Sequence, residues 1–207
     1  MALSTDLFSN LRKDILQGKL RQGEKLTEQQ ICDEYNVSRT PVREAFRQLE
    51  LEGFIETIPN RGAFVVGFSS QDIQDMYELR KSYEVLAVKW AIERISKEEY
   101  EKLEEAFEFM EFYTQKQDME KMLNINMNFH ELIYRASHNR MLYHILSSYQ
   151  LYIKQSRPSN RNDVSSGYLD EILAEHRAIF ESFKSKDVEA GIAAVSRHLD
   201  NAKRRAK

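Results

Sequence analysis

A single cysteine, three prolines and seven glycines in 207 residues set the first limits on this chain. The one cysteine, Cys32, excludes an internal disulfide and a multi-cysteine zinc knot, and fits a reducing compartment; its ordinary role is a small apolar residue packed in a helix. No apolar run approaches the ~20 residues that span a bilayer, and the N-terminus lacks an apolar signal core, so no membrane partner and a cytoplasmic setting are expected. An excess of positive charge is also missing. Thirty Lys and Arg stand against 33 Asp and Glu, for a net charge of −3. Residues 1–68 alone carry nine Lys or Arg against ten Asp or Glu. If this protein binds DNA, its cations must be sorted onto one face.

The rest of the composition is that of a core-forming chain, 42% hydrophobic and 30% charged. Leu7, Leu11, Ile15 and Leu16 give helical spacing over 5–17. Gly18 and Gly23 bracket a loop, and Thr27-Glu28-Gln29-Gln30 opens a short helix with a capping-box pattern, continued by Ile31 and Tyr35. Asn36-Val37-Ser38 forms a tight turn. Ser38 then caps a third helix through Glu52, with Pro41 tolerated in its first turn, and Gly53 ends it. Residues 54–58 and 63–66 read as two short strands around the turn Pro59-Asn60-Arg61-Gly62. After Phe68 the texture changes to helix signals alone. Ser96-Lys97-Glu98-Glu99 is another capping box, breaks fall near 95, 118, 138, 156–166 and 185, and residues 157–163 form the one long polar loop. The expected architecture is mainly α: a winged helix-turn-helix over 1–68 and an all-helical bundle over 69–207.

The third helix carries the sorted charge. Val42, Ala45, Phe46 and Leu49 make a buried stripe, while Arg39, Thr40, Arg43 and Arg47 fall on the opposite side. The planar fork of Arg can pair bidentately with guanine O6/N7 or with phosphate. Residues near the start of a recognition helix reach base edges, so Arg39, Thr40 and Arg43 are the candidate base readers, with Arg47 nearer the backbone. Arg61, beside Gly62 at the hairpin tip, is placed to enter a minor groove or grip phosphate.

These residues resemble the GntR superfamily of bacterial regulators. The resemblance rests on Leu26-Thr27-Glu28-Gln29-Gln30, on Val37-Ser38-Arg39-Thr40-Pro41-Val42-Arg43-Glu44-Ala45, and on Leu49-Glu50-Leu51-Glu52-Gly53-Phe54-Ile55. It implies that Arg39 and Arg43 contact operator DNA together with the wing at Arg61-Gly62. Some relatives carry Arg where this chain has Gln29. The later half is similar to the all-helical ligand domain of the FadR subfamily, the FCD domain. That resemblance implies a divalent metal held by Asn126, His130, His176 and His198.

The residues themselves agree in part. Asn126 and His130 share a helix face at i, i+4. His176 sits on an apolar stripe of Leu169, Ile172, Leu173, Ile179, Phe180 and Phe183, where its polar atoms need a partner. His198, beside Val195, Leu199 and Ala202, is less clearly inward, and His138 and His144 read as loop or surface residues. Imidazole-rich coordination suits Zn, Ni, Co or Mn. With a neutral Asn and three neutral imidazoles the centre keeps its double positive charge, which favours an anionic ligand. A helix over 72–93 is expected to bury Ile73, Met76, Tyr83, Ala87 and Trp90, with Arg80 on the same stripe. A buried guanidinium must be paired, either with Glu84 one turn on or with an effector carboxylate.

Together these features predict a homodimeric transcriptional regulator of a pseudo-palindromic operator, its affinity modulated by a small carboxylate at the metal and Arg80. Two rivals are weighed. One is a constitutive DNA-binding protein whose helical half only dimerises. The other is a metal-dependent hydrolase, against which stands the absence of a His-Glu-x-x-His motif.

Overall fold

The computed structural model describes residues 2–59, 61–66, 69–156 and 167–205. The polar loop expected at 157–163 lies outside these. The described residues divide into two compact units, one built on those through Ile73 together with 152–156, the other on the rest.

The first unit is a winged helix-turn-helix. Helices α1 (Ala2–Leu16), α2 (Glu28–Tyr35) and α3 (Arg39–Leu51) pack on a three-stranded antiparallel sheet. Strands β2 (Ile55–Ile58) and β3 (Gly62–Val65) form the expected hairpin, registered Ile55 to Val65 and Ile58 to Gly62. A strand of two residues, β1 (Lys25–Leu26), pairs on the other edge of β3. It is too short for alternation to show in the sequence. Thr27 caps α2 by accepting from the Gln30 amide, half of the expected capping box. Asn36 ends α2 in the left-handed conformation that Asn tolerates. Ser38 occupies the cap position of α3, but its hydroxyl makes no capping bond. Val42, Ala45 and Leu49 are fully buried against Leu7 and Leu11 of α1 and Leu26, Ile55, Ala63 and Val65 of the sheet, while Phe46 is half-buried at the rim. Burying Val42 and Leu49 stabilises the unit by about 1.5–3 kcal/mol each, which anchors α3 with its polar side outward.

The second unit is an all-helical bundle of α4 (Ser70–Arg94), α5 (Lys97–Gln115), α6 (Met119–Ala136), α7 (Arg140–Ser156), α8 (Tyr168–Ser185) and α9 (Val188–Arg205). Ser96 and Glu99 close a complete capping box at α5. The core runs through Leu103, Phe107, Met122, Phe129, Ile179 and Val195, with Phe107 stacked on Phe180.

On α4 the stripe differs from expectation. Tyr77, Arg80, Glu84, Ala87, Val88 and Ala91 are buried, whereas Ile73, Met76, Tyr83 and Trp90 are only half-buried. The helix has two covered flanks. Val88 and Ile92 enter the main core, and Tyr83 and Trp90 rim a second cluster with Leu142 and Leu146 of α7. Gly191 lets α9 approach closely. A Cβ there would meet Ile92 Cδ1 at 2.5 Å and Ser182 Oγ at 2.9 Å. His198 lies on that same face of α9, two turns further on.

Candidate functional site

The exposed face of α3 carries Arg39, Thr40, Arg43 and Arg47, all solvent-accessible. Each arginine has a different partner. Arg39 Nη2 donates to Gln29 Oε1 at 3.2 Å, and Gln29 in turn donates to Asp33. Arg43 Nε donates to Glu28 Oε1 at 2.7 Å. Arg47 chelates Glu44 on its own helix through Nε and Nη2. At the hairpin, Arg61 is exposed with its guanidinium over the Phe64 ring, and Gly62 adopts φ +100°. A side chain at Gly62 would crowd Lys25, whose Cε stands 3.1 Å from an added Cβ. Lys25 is thus a second cation beside the wing turn, unseen in the sequence because its neighbour in space is 37 positions away.

The bundle interior holds the second constellation. His130 on α6, His176 on α8 and His198 on α9 are all buried, and one ring nitrogen from each falls within 4.8 Å of the others. Asn126 is buried one turn before His130 on α6. His138 and His144 lie on the surface, and His138 pairs with Glu99.

The partners of each ring fix its tautomer. His176 Nδ1 is 2.7 Å from the carbonyl oxygen of Ile172, to which it can only donate. His198 Nδ1 donates to Glu175 Oε2 at 2.8 Å. Both rings therefore carry their proton on Nδ1 and leave Nε2 as a bare lone pair. His130 cannot satisfy both of its contacts while neutral. Its Nε2 faces His176 Nε2 at 3.1 Å, and its Nδ1 lies 3.0 Å from Glu84 Oε2, off the line of a proper hydrogen bond. A proton on Nε2 sets a lone pair against the Glu84 carboxylate. A proton on Nδ1 sets two lone pairs against each other at 3.1 Å. A cation between the Nε2 atoms removes the conflict, so the donor set fits a metal.

The surrounding charges hold this arrangement. Burial pushes the pKa of His176 well below the usual histidine value, with His198 and His130 adding to the effect. Burial likewise lowers His198, to about 4, against the pull of Glu175. Both rings stay neutral, as ligands must. Burial alone would raise Glu84, but Arg80 and His130 outweigh it and keep the carboxyl well below the normal range. Glu175 is held down to about 2 against its burial by Arg205, His198 and Asn201. Arg205 grips it with both terminal amines, at 2.8 and 2.7 Å.

Arg80 is buried as expected and its Nε donates to Glu84, the nearer of the two partners considered. Glu84 also accepts from Tyr134 at 2.6 Å, so one carboxylate joins Arg80, Tyr134 and His130. Tyr134 and the group Glu175, Asn201 and Arg205 were not singled out from the sequence. Their signals are faint: Tyr134 follows His130 by one helical turn, Glu175 directly precedes His176, and Asn201 and Arg205 follow His198 by one and two turns.

Comparison with known proteins places these features in context. Residues 3–65 match the family model described as bacterial regulatory proteins, gntR family, and residues 75–201 match the FCD domain. The HTH-type transcriptional regulator YdhC of Bacillus subtilis is 33% identical over 196 residues, spanning 94% of this chain and 86% of its own. The galactonate operon transcriptional repressor of Escherichia coli is 26% identical over 220 residues, 95% of this chain and 93% of its own. Among solved structures, E. coli McbR/YncC shares the fold with a TM-score of 0.72 at 21% identity, covering 98% of this chain and 95% of that one.

Proposed function

Because the chain belongs to the gntR family of bacterial regulatory proteins and carries an FCD domain, it is a DNA-binding transcriptional regulator and not an enzyme, and we propose that a small organic acid bound at a metal centre sets its operator affinity. In this reading residues 1–68 are the DNA-reading head and 69–207 the effector-binding and dimerisation domain. Two heads of a homodimer read a pseudo-palindromic site through Arg39, Thr40 and Arg43, with Arg47 nearer the backbone and the wing at Arg61-Gly62 entering a minor groove or gripping phosphate.

The observation that carries the pocket half of the proposal is the tautomer arrangement. His176 and His198 each donate Nδ1–H to an acceptor and so keep Nε2 as a lone pair. His176 Nε2 faces His130 Nε2 at 3.1 Å, and one ring nitrogen of His198 lies within 4.8 Å of the other two. His130, His176 and His198 would hold a divalent transition metal such as Zn, Ni, Co or Mn, with Asn126 as a further oxygen ligand. When bound, the metal supplies a Lewis-acidic positive centre for an anion. Around it Arg80 and Arg205 balance Glu84 and Glu175, two charges of each sign, so the charge of the metal is left to the effector. Arg80, buried beside the cluster, is the direct side-chain partner for the effector carboxylate once its hold on Glu84 is shared.

A thermal-shift screen of small mono- and dicarboxylates on metal-loaded protein tests this reading. Saturating acid at 100 times its Kd should stabilise the fold by about 2.7 kcal/mol, an upward Tm shift of about 5–11 °C. No shift with any acid, and operator affinity unchanged by all of them, would leave the bundle as a dimerisation module only.

A further inference from the structure

The three arginines of α3 differ in what they leave free. Arg47 gives Nε and one terminal amine to Glu44, one turn away on its own helix. Arg39 gives one terminal amine to Gln29. Arg43 alone of the three engages only Nε, and both its terminal amines are without a hydrogen bond among the described residues. Those two amines are the prongs that pair with guanine O6 and N7.

The acceptor for Arg43 is also differently placed. Glu28 belongs to the neighbouring helix, as the first residue of α2, just after the capping contact of Thr27. Ile31 of α2 and Val42 of α3 are buried in the same core, which fixes the two helices against each other. A contact across that junction ties the guanidinium plane to the frame of the domain. The contact of Arg47 with Glu44 ties that side chain only to its own helix. Arg43 also lowers the pKa of Glu28 through their hydrogen bond, so the acceptor stays a carboxylate near neutral pH.

We propose that Glu28 is a positioning residue for base recognition: by holding Arg43 at Nε it presents the two terminal amines as a prealigned fork to one guanine of the operator. The inference rests on the DNA-reading assignment of α3 and goes beyond it by naming what orients the reader. Without Glu28, Arg43 would have to lose its rotamer freedom on binding, and the contact would weaken. Glu28 is also a negative charge near the phosphates, so its removal alone would tighten binding to any duplex. The two effects have opposite signs, and substitutions separate them.

The full-length protein is first used to select tight binders from a randomised duplex library. Wild type, Glu28→Gln, Glu28→Ala and Arg43→Ala are then titrated against the selected duplex, its single-base variants and a scrambled duplex, with circular dichroism as a check of folding. Glu28→Gln keeps an acceptor for Nε and loses the charge. It should bind both duplexes as tightly as wild type or tighter and discriminate between them as wild type does. Glu28→Ala loses both. It should bind the scrambled duplex at least as tightly but the selected duplex roughly tenfold more weakly. Its lost discrimination should fall at the base pair that Arg43→Ala relaxes. A Glu28→Ala protein with wild-type discrimination overturns the positioning role while leaving the DNA reading intact. Wild-type protein that enriches no duplex, or Arg43→Ala that binds the selected duplex like wild type, overturns the DNA reading and this inference with it.

Discussion

Arg43 meets Glu28 through Nε at 2.7 Å in the DNA-binding unit, and Arg80 meets Glu84 through Nε at 2.5 Å in the bundle. The chemistry is the same and the setting is opposite. The first pair is open to water, with side chains 65% and 34% exposed, and the second is sealed at 8% and 1%. In water such a pair contributes little to folding, so evolution can place it for orientation and charge at a surface that must release and re-form contacts. In the bundle each charge has given up its hydration, and the network of Arg80, Glu84, Tyr134 and His130 holds together only as a whole. The head presents its charges to an external partner. The bundle stores its charges around a centre.

The sharpest way to break this contrast is to remove one carboxylate from each pair. Glu84→Ala should lower stability by about 3–5 kcal/mol, because a buried guanidinium is left unpaired. Glu28→Ala should cost less than about 1 kcal/mol. Urea denaturation midpoints of the two variants measure both; similar losses would contradict the difference between the exposed and the buried pair. Next in size is the outer support of the metal site. Glu175→Ala removes the acceptor that orients His198 and should weaken metal affinity about 10–100-fold, read by competition with a chromophoric chelator. Unchanged affinity would mean that His198 is not held by Glu175. Arg43→Ala should weaken binding to a selected operator by about 1–3 kcal/mol and relax one base position, with stability unmoved. Gly191→Ala sharpens the packing side of the comparison. It pushes α9 away from Ile92 and Ser182 and should cost about 1–3 kcal/mol in the bundle, leaving the head intact. Hydrogen exchange localises that loss; protection lost instead in α3 would contradict it.

The two regions also differed in how far the sequence disclosed them. The reading face of α3 was legible residue by residue. Val42, Ala45 and Leu49 sit within one helix, and its period alone assigns Arg39, Arg43 and Arg47 to the far side. The partners of Arg39 and Arg43 were not legible, because Gln29 and Glu28 are on α2 and a helix period says nothing about its neighbour. In the bundle the reverse holds. His130, His176 and His198 lie on three helices, and family resemblance rather than spacing suggested them as a set. The Nδ1 partner of His176 is the Ile172 carbonyl one turn back on its own helix, but the pairing of His198 with Glu175 and the approach of His130 to Glu84 depend on how α4, α6, α8 and α9 pack, which no local pattern encodes. The α4 stripe failed for the same reason. A helix covered on two flanks buries more than one face, and period alone selects whichever face is most apolar, so Glu84 was noticed only as a neighbour of Arg80. Strand β1 was missed because Lys25–Leu26 pairs with residues far along the chain and is too brief to alternate.

The centre of the account is a cation held among three imidazoles, and metal content measures it directly. Full-length protein exposed to excess Zn and then dialysed against metal-free buffer should retain one ion per chain, and His176→Ala, with its helical circular dichroism intact, should retain none. Wild-type protein that emerges free of metal, or a His176→Ala protein that keeps it, would contradict the account.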